Sequence, residues 1–322
     1  MTHRIVVRTG CRLHFGLANL GHDPTGPQFG GVGVMVDVPG VQLELQPCER
    51  FVAQGPLNER VQQFVNSILH NLQMSQLPEL EIRVISAPRE HVGLGVGSQL
   101  GLAVAAGLAE ALGFPWRDPL RLCQLTGRGR RSAVGTYGFL LGGLIVDGGH
   151  LSGEPLGKLS FRCELPAEWR FALLTPPTAV GFSGLAEEQA LGKLAPVSEE
   201  VTRELQHTIN EHLIPAAELA DFLAFSEAVF HYGCLAGKCF ASAQGGTFAS
   251  PETERLILWL REQGYAGVGQ SSWGPTVFVV LRDQAAATTL SQAISNHATF
   301  RDYECLVGPA ANRGVEVEVE AK

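Results

Sequence analysis

HVGLGVGSQLGLAVAA, residues 91–106, is the stretch that decides how this chain is read. Gly93, Gly95 and Gly97 alternate with Leu94 and Val96. The preceding LEIRVISA, residues 80–87, is β-branched and partly alternating, which predicts a strand. From Ser98 to Leu112 good helix formers dominate, which predicts a helix. Strand, glycine loop and helix start in succession make a site for an anion. Glycines let backbone come close to a ligand, and the first N–H groups of a helix have no acceptor within it. The helix dipole adds roughly half a positive charge there. The same pattern also serves as a tight turn that packs a helix onto a sheet, and both readings stand on this window alone. It is not a P-loop, because no Lys-Ser or Lys-Thr pair follows the glycines. A dinucleotide fingerprint would need its third glycine where Ser98 stands.

Composition narrows the function classes. The 322 residues allow one large or two medium domains, and 45% hydrophobic content suffices for a good core. A net charge of −8 argues against sequence-independent nucleic-acid binding and against an anionic membrane partner. No uninterrupted apolar run is long enough to span a bilayer, and MTHRIVVRTG lacks the apolar segment of a signal peptide. The seven cysteines are scattered and form no C-x-x-C pair, so they read as free thiols of a reducing compartment. A cytoplasmic protein is expected.

Around the glycine loop, the N-terminal half is strand-rich. Strands are expected at 5–13, 32–38, 41–45 and 142–147. Helices are expected at 58–72, with Asn58 as N-cap, and at 119–126, where Asp118 precedes Pro119. The polar, turn-rich 155–168 segment marks a boundary. Beyond it come a strand at 170–175, helices at 197–212, 215–243 and 251–263, a strand at 276–281, a helix at 284–296 and a last strand at 315–319. Segregated strands and helices without a βαβ rhythm predict an α+β fold.

Three further segments carry candidate chemistry. GRGRRSAVGTYGFLLGGLIVDGG, residues 127–149, sets Arg128, Arg130 and Arg131 among glycines, followed by the hydroxyls of Ser132, Thr136 and Tyr137. Arginine forks bind phosphate and carboxylate bidentately; a solvated basic loop is the alternative. In GYAGVGQSSWGPT, residues 264–276, glycines interleave with Gln270, Ser271 and Ser272, as in a hairpin turn or a ligand loop. Near the N-terminus stand TGCRLHFGLANL (9–20) and QFGGVGVMVD (28–37). Arg12 and His14 alternate along one strand and share a face. His14 suits acid–base work or phosphate donation, or a plain structural hydrogen bond. Asp37 ends a hydrophobic strand, where it either faces a ligand or starts a turn before Pro39. No Ser-His-Asp order, H-E-x-x-H helix or carboxylate pair is evident, and the pattern names no metal ligands.

In their order along the chain these segments resemble the GHMP kinase superfamily, and most closely its β-ribofuranosylaminobenzene 5′-phosphate synthase family. The residues that carry the resemblance are RLHFGL (12–17), FGGVGVMVD (29–37), GLGVGSQLGLAV (93–104), GRGRRSAVGTYGF (127–139) and GQSSWGPT (269–276). The resemblance implies a two-domain α+β fold. Its first part is an N-terminal mixed strand and helix domain, 1–165, that carries the phosphate loop. Its second is a C-terminal ferredoxin-like domain, 166–322. It further implies a phosphoribosyl-diphosphate-dependent transferase. Such an enzyme joins ribose 5-phosphate to 4-aminobenzoate or 4-hydroxybenzoate with loss of carbon dioxide and pyrophosphate, early on the way to methanopterin. Magnesium is the implied cofactor. The partners are small molecules, and whether the chain forms a homodimer stays open.

On that resemblance Gly93, Leu94, Gly95, Val96, Gly97, Ser98 and Gln99 bind phosphate, and His14, Arg130 and Tyr137 are catalytic. Arg12, Asp37, Arg128, Arg131, Ser132, Thr136, Ser271 and Ser272 contact substrate. The chain departs from the kinases at two places. Val96 and Gly97 stand where kinases carry a serine pair, with Ser98 one residue late, and Ser132 to Thr136 lacks the kinase aspartate. Phosphoryl transfer depends on positioning, metal and a base or orienting group. An ATP-dependent small-molecule kinase, the alternative, would need another carboxylate such as Asp37. A non-catalytic phosphate-binding protein is the third reading.

Overall fold

β1 (His3–Leu17) and β2 (Gly31–Pro47) run antiparallel for nearly their full length and form the spine of a seven-stranded sheet. The computed structural model describes residues 3–19, 25–129, 131–178, 181, 194 and 196–321. The sequence pattern splits β2 at Pro39, yet the strand continues through it. A register shift between Thr9 and Cys11 absorbs the extra residues of β2, so Thr9 pairs with Val41 and Cys11 with Val36. β4 (Leu80–Ser86) pairs with the second half of β2, and the short β3 (Val52–Gln54) runs parallel to β4. β5 (Leu144–Asp147) pairs with the first half of β2 and carries β6 (Leu159–Cys163), a strand within the segment expected to be only a boundary.

The second sheet contains β7 (Arg170–Thr175), β8 (Gly267–Gln270), β9 (Val277–Leu281) and β10 (Glu304–Gly308). Its order is β10-β7-β9-β8 with every neighbour antiparallel, the strand order of a ferredoxin-like βαββαβ unit. The change of sheet thus falls between Cys163 and Arg170. The chain then returns: β11 (Glu316–Ala321) pairs with β1 at the edge of the first sheet. Arg4 and Arg8 reach across to Glu320 and Glu318, at 2.8 Å each.

Four helices belong to the first sheet: α1 (Asn58–Asn71), α2 (Val96–Leu112), α3 (Pro119–Thr126) and α4 (Val134–Leu141). Leu57, not Asn58, is the N-cap of α1, in a left-handed conformation; Asn58 is already helical. Asp118 caps α3 as its sequence suggests, accepting from Arg121 N–H at 2.7 Å. α2 is apolar nearly all round and correspondingly buried, packed between β1, β2 and α1. On the C-terminal side α5 (Glu199–His207) runs on through a π-helical turn, Thr208–Leu213, into α6 (Ile214–Glu218). Pro215, which has no N–H for the helical ladder, follows that turn directly. The single helix expected at 215–243 breaks at residues 219–221. There Asp221 starts α7 (Phe222–Cys239) by accepting from the N–H groups of Leu223 and Ala224. α8 (Ala241–Gln244), α9 (Pro251–Glu262) and α10 (Gln284–Asn296) complete the helices described.

Strand alternation distributes the core. On β7, Phe171 and Leu173 face one cluster while Ala172 and Leu174 face another with α9 and α10. The first of these clusters also holds Leu13 and Phe15 of β1, Val34 of β2 and Phe225 of α7, so one core joins both sheets. Phe15 and Phe278 meet in it with ring centres 5.0 Å apart. All seven cysteines are unbridged, and no helix among the described residues is long and apolar enough to cross a membrane.

Candidate active site

The register shift in β1 decides which side chains reach the glycine loop. Before it, the odd-numbered Ile5 and Val7 pack on the α2 side; after it, Cys11, Leu13 and Phe15 pack in the other cluster. The even-numbered Arg12 and His14 are therefore turned toward α2. Re-aiming a side chain in this way is a common use of a bulge. The loop itself is fastened from both sides. Arg12 N–H donates to Leu94 carbonyl at 3.1 Å, and Ser271 hydroxyl donates to Gly93 carbonyl at 2.7 Å. Gly93 and Gly95 take left-handed conformations, φ 95° and 68°, and Gly95 is the N-cap of α2. Gly97 has an ordinary helical backbone; its glycine leaves space instead. A Cβ there would lie 3.7 and 3.8 Å from guanidinium nitrogens of Arg60 and Arg128, and 3.8 Å from Glu90 Oε1.

A cavity of about 1080 Å³ opens over this loop between the two sheets' elements. Arg12, Arg60, Arg128 and Arg131 line it, and among the described residues Glu90 is the only acid that does. A chain with net charge −8 thus concentrates positive charge at one place. Such focusing attracts anionic substrates. Arg60 is held by Glu90 at 3.2 Å and by Gln63 at 2.9 Å. The Phe64 ring lies under both Arg60 and Arg128, at 5.2 and 5.4 Å. The order along the loop is fixed: Gly93 abuts Ser271 and Gly274, Gly95 abuts Arg12, and Gly97 faces Arg60 and Arg128.

His14 is buried beside this loop. Its Nε2 is 3.0 Å from Ser132 Oγ, and its backbone N–H donates to Ser271 Oγ at 3.1 Å. Behind Ser132 stands Asp147, 3% exposed, which accepts from the N–H groups of Ala133 (2.6 Å) and Gly149 (2.9 Å). Burial raises the Asp147 pKa, while those two N–H groups and the Ser132 hydroxyl pull it down. With the Ser132 proton directed at Asp147, Ser132 Oγ accepts from Val134 N–H at 3.3 Å and from His14. This assigns the neutral imidazole proton to Nε2 and leaves Nδ1 as an acceptor. Burial, and secondarily the charge of Arg12, push the His14 pKa well below its ordinary value near 6.5. His14 is therefore neutral at pH 7.

The structure gathers much of the expected set and disperses the rest. Gly93, Gly95, Val96, Gly97, Ser98, Arg12, His14, Arg128, Arg131, Ser132 and Ser272 line the cavity. Leu94 and Gln99 are buried beside it as supports. Gln99 accepts from Thr9 and donates to Gly135 carbonyl, tying α2 to β1 and α4. Ser271 is fully buried and acts through its bonds to Gly93 and His14. Asp37 lies elsewhere: β2 does not end there, and Asp37 faces a smaller pocket shared with Arg8 and Glu316. Tyr137 and Thr136 also point away, because the stretch read as loop is the helix α4. Tyr137 donates to Gly157 carbonyl at 2.9 Å, and Thr136 Oγ1 meets Cys123 at 3.7 Å. Arg130 lies outside the described residues. Sequence reasoning missed Arg60, Glu90 and Asp147. Arg60 reads as one more solvated residue of an amphipathic helix, and Asp147 as the plain end of a strand.

Comparison with known proteins fits this arrangement. The family described as GHMP kinases C terminal matches residues 214–299. A beta-ribofuranosylphenol 5′-phosphate synthase of Archaeoglobus fulgidus is 31% identical over 97% of this chain and 99% of its own length. One of Methanothermobacter thermautotrophicus is 28% identical over 87% of this chain and 89% of its own. Among solved structures, the homoserine kinase of Cytophaga hutchinsonii superposes with a TM-score of 0.62 at 15% identity, covering 98% of this chain and 97% of that one. The mevalonate diphosphate decarboxylase of Staphylococcus aureus does so with 0.65 at 12%, covering 99% and 98%. These two likenesses give the fold.

Two outcomes follow from the geometry. Gly97→Val places a side chain where an anion would sit, without backbone strain. Valine is slightly better than glycine in a helix, so the melting temperature should stay within a few degrees. Pyrophosphate affinity, measured by titration calorimetry, should fall by roughly tenfold or more, as for losing charge-assisted bonds. Gly95→Val, at φ 68° and with its Cβ 3.1 Å from Arg12 Nε, should instead cost stability directly. The second outcome concerns pH. His14 is neutral when folded but takes a proton near pH 6.5 when unfolded. Its contribution to stability is present above that pH and is lost as pH falls below it. Histidine NMR should show His14 neutral with its proton on Nε2 from pH 8 to 6.5. Asp147→Asn, which offers Ser132 a donor, should move that proton to Nδ1.

Proposed function

The chain belongs to the β-ribofuranosylphenol 5′-phosphate synthase family of the GHMP kinase superfamily, and we propose that it joins phosphoribosyl diphosphate to a para-substituted benzoate. Pyrophosphate and carbon dioxide are the other products, and the C-riboside is an early intermediate toward methanopterin. The observation that carries this reading is the glycine loop opening α2, flanked by four arginines, with Glu90 already paired to Arg60. That is a station for a leaving anion whose one lining carboxylate, among the described residues, is already paired. The relatives' name, beta-ribofuranosylphenol 5′-phosphate synthase, favours 4-hydroxybenzoate as acceptor, since its decarboxylated product is a phenol. 4-Aminobenzoate offers the same donor at the same ring position.

The chemistry asks for what the residues supply. The ring carbon bearing the carboxylate gives its electron pair to ribose C1, and the bond from C1 to diphosphate oxygen breaks, with the pair leaving on diphosphate. The bond from ring to carboxylate then breaks, its pair restores the aromatic ring, and carbon dioxide departs. No proton is gained or lost overall, so no strong base is required. Negative charge grows on the diphosphate as it leaves. Preorganised N–H groups at Val96 and Gly97 and the Arg12 guanidinium answer that charge. Arg60 and Arg128, at the far end of the loop, suit the ribose 5-phosphate. His14, neutral and fixed through Ser132 and Asp147, accepts a hydrogen bond at Nδ1 from a ribose hydroxyl without adding positive charge beside C1.

Magnesium suits this site as a guest of the substrate. No cluster of three His, Cys, Asp or Glu side chains stands ready for a metal among the described residues. One carboxylate with phosphate oxygens and water is how this ion is commonly held. Glu90 and the Ser98 hydroxyl would hold it, and when bound it would neutralise charge on the departing diphosphate. A kinase reading would route a proton to Asp37, which lies on a different pocket. Unbridged cysteines suit a cytoplasmic enzyme.

Purified protein with magnesium, phosphoribosyl diphosphate and carboxyl-labelled 4-hydroxybenzoate should release labelled carbon dioxide without ATP. Omitting phosphoribosyl diphosphate should abolish the release. Label retention with both benzoates at high protein concentration, or ATP-dependent phosphorylation of an alcohol, would overturn the reading.

A further inference from the structure

Arg60 and Arg128 stand at the Gly97 end of the cavity, and the other end is built differently. There α7 contributes Gly233, Ala236 and Gly237, and the residue after it is Phe240. Trp273, on the turn that abuts Gly93, closes the wall from the opposite side. Phe240 and Trp273 meet edge to face with ring centres 4.7 Å apart, and Leu17 and Phe29 pack with them. Among the described residues, the arginines and carboxylate that line the cavity are Arg12, Arg60, Glu90, Arg128 and Arg131, none of which comes from α7 or the 270–274 turn. The glycine loop therefore runs from an aromatic end at Gly93 to a cationic end at Gly97.

We propose that the space between α7 and the 271–274 turn is the arene subsite, where the aromatic acid lies on the Phe240–Trp273 wall with its carboxyl-bearing carbon toward the loop. This rests on the transferase reading above and adds where the acceptor sits and what selects it. Three features support it. The first is shape. Space is left at Gly233 of α7: a Cβ there would meet nothing nearer than Phe15 carbonyl, 3.9 Å away. The second is chemistry. An aromatic wall takes a flat ring by stacking or edge contact, and an apolar surround destabilises the ring carboxylate relative to the carbon dioxide it becomes. The third is the para position. Gln244 lines the same end, with its amide nitrogen held by Thr247 carbonyl at 2.8 Å and Gly237 carbonyl at 3.3 Å. Its orientation is thereby fixed with the oxygen as acceptor. An acceptor there takes a phenol or an aniline alike, since both donate, and disfavours a para substituent that cannot donate.

Gly233→Leu tests the subsite in the full-length protein. It fills the space without a backbone clash and replaces a helical glycine by a better helix former. Titration calorimetry with 4-hydroxybenzoate and, separately, with inorganic pyrophosphate reads both ends of the cavity. Binding of 4-hydroxybenzoate should weaken by roughly tenfold or more and pyrophosphate binding should change less than about twofold. Gly233→Ala should fall between wild type and Gly233→Leu, and Trp273→Leu should weaken the benzoate alone. Unchanged benzoate binding in a folded Gly233→Leu variant, or no measurable benzoate binding by the wild-type chain, would overturn the subsite. The two readings fail separately. If Gly233→Leu abolishes benzoate binding while the wild type forms no riboside phosphate, the subsite stands and the reaction falls. If riboside phosphate forms equally in both proteins, the reaction stands and the subsite falls.

Discussion

Gly274 lies directly against Gly93, with no side chain on either residue, and next to them Ser271 donates its hydroxyl to the Gly93 carbonyl. This contact holds the glycine loop against the second sheet, and the rest of the site depends on it. A Cβ at either glycine would run into the backbone of the other segment. Ser271 also receives the backbone N–H of His14, and Ser272 donates its N–H to the His14 carbonyl at 3.0 Å. One short turn from the C-terminal half therefore sets the loop, the strand carrying Arg12 and His14, and the position of Trp273. The loop in turn sets where the first N–H groups of α2 point. The cavity is a property of both halves of the chain, which explains why their core is continuous across the two sheets.

Charge along this loop runs in one direction. At its start stand aromatic rings, at its middle Arg12 and neutral His14, and at its end Arg60 and Arg128. A reaction that separates charge at C1, sending the negative part away on a diphosphate, is matched by that gradient. Donors fixed in advance stabilise charge as it develops and need no reorganisation at that moment. In the proposed reaction, a positively charged histidine beside C1 would oppose the sugar's growing positive charge. Burial of His14 prevents that, and the Ser132–Asp147 pair settles which ring nitrogen carries the proton.

Much of this was legible in the sequence where local pattern governs. Alternation placed Arg12 and His14 on one face, and three glycines before a helical run placed the loop. Where tertiary structure governs, the pattern failed. Asp37 looked like a strand end because Pro39 follows, but a bulge carries β2 through to Pro47. Thr136 and Tyr137 looked like loop donors because glycines surround them. The segment folds as α4, whose helical turn sends both away from the cavity. Arg60 lies more than thirty residues before the loop, on a helix face that looks solvated, and only the packing of α1 on α2 brings it to Gly97. Phe240 and Trp273 are distant in sequence and meet only through the fold of the second half.

The most direct test of the central claim is a crystal structure of the full chain with phosphoribosyl diphosphate, magnesium and a benzoate lacking the para donor. Diphosphate oxygens should lie within about 3 Å of the backbone nitrogens of Val96 and Gly97, with the 5-phosphate at Arg60 and Arg128. A diphosphate bound away from this loop, or a 5-phosphate seated against Phe240 and Trp273, would contradict the account.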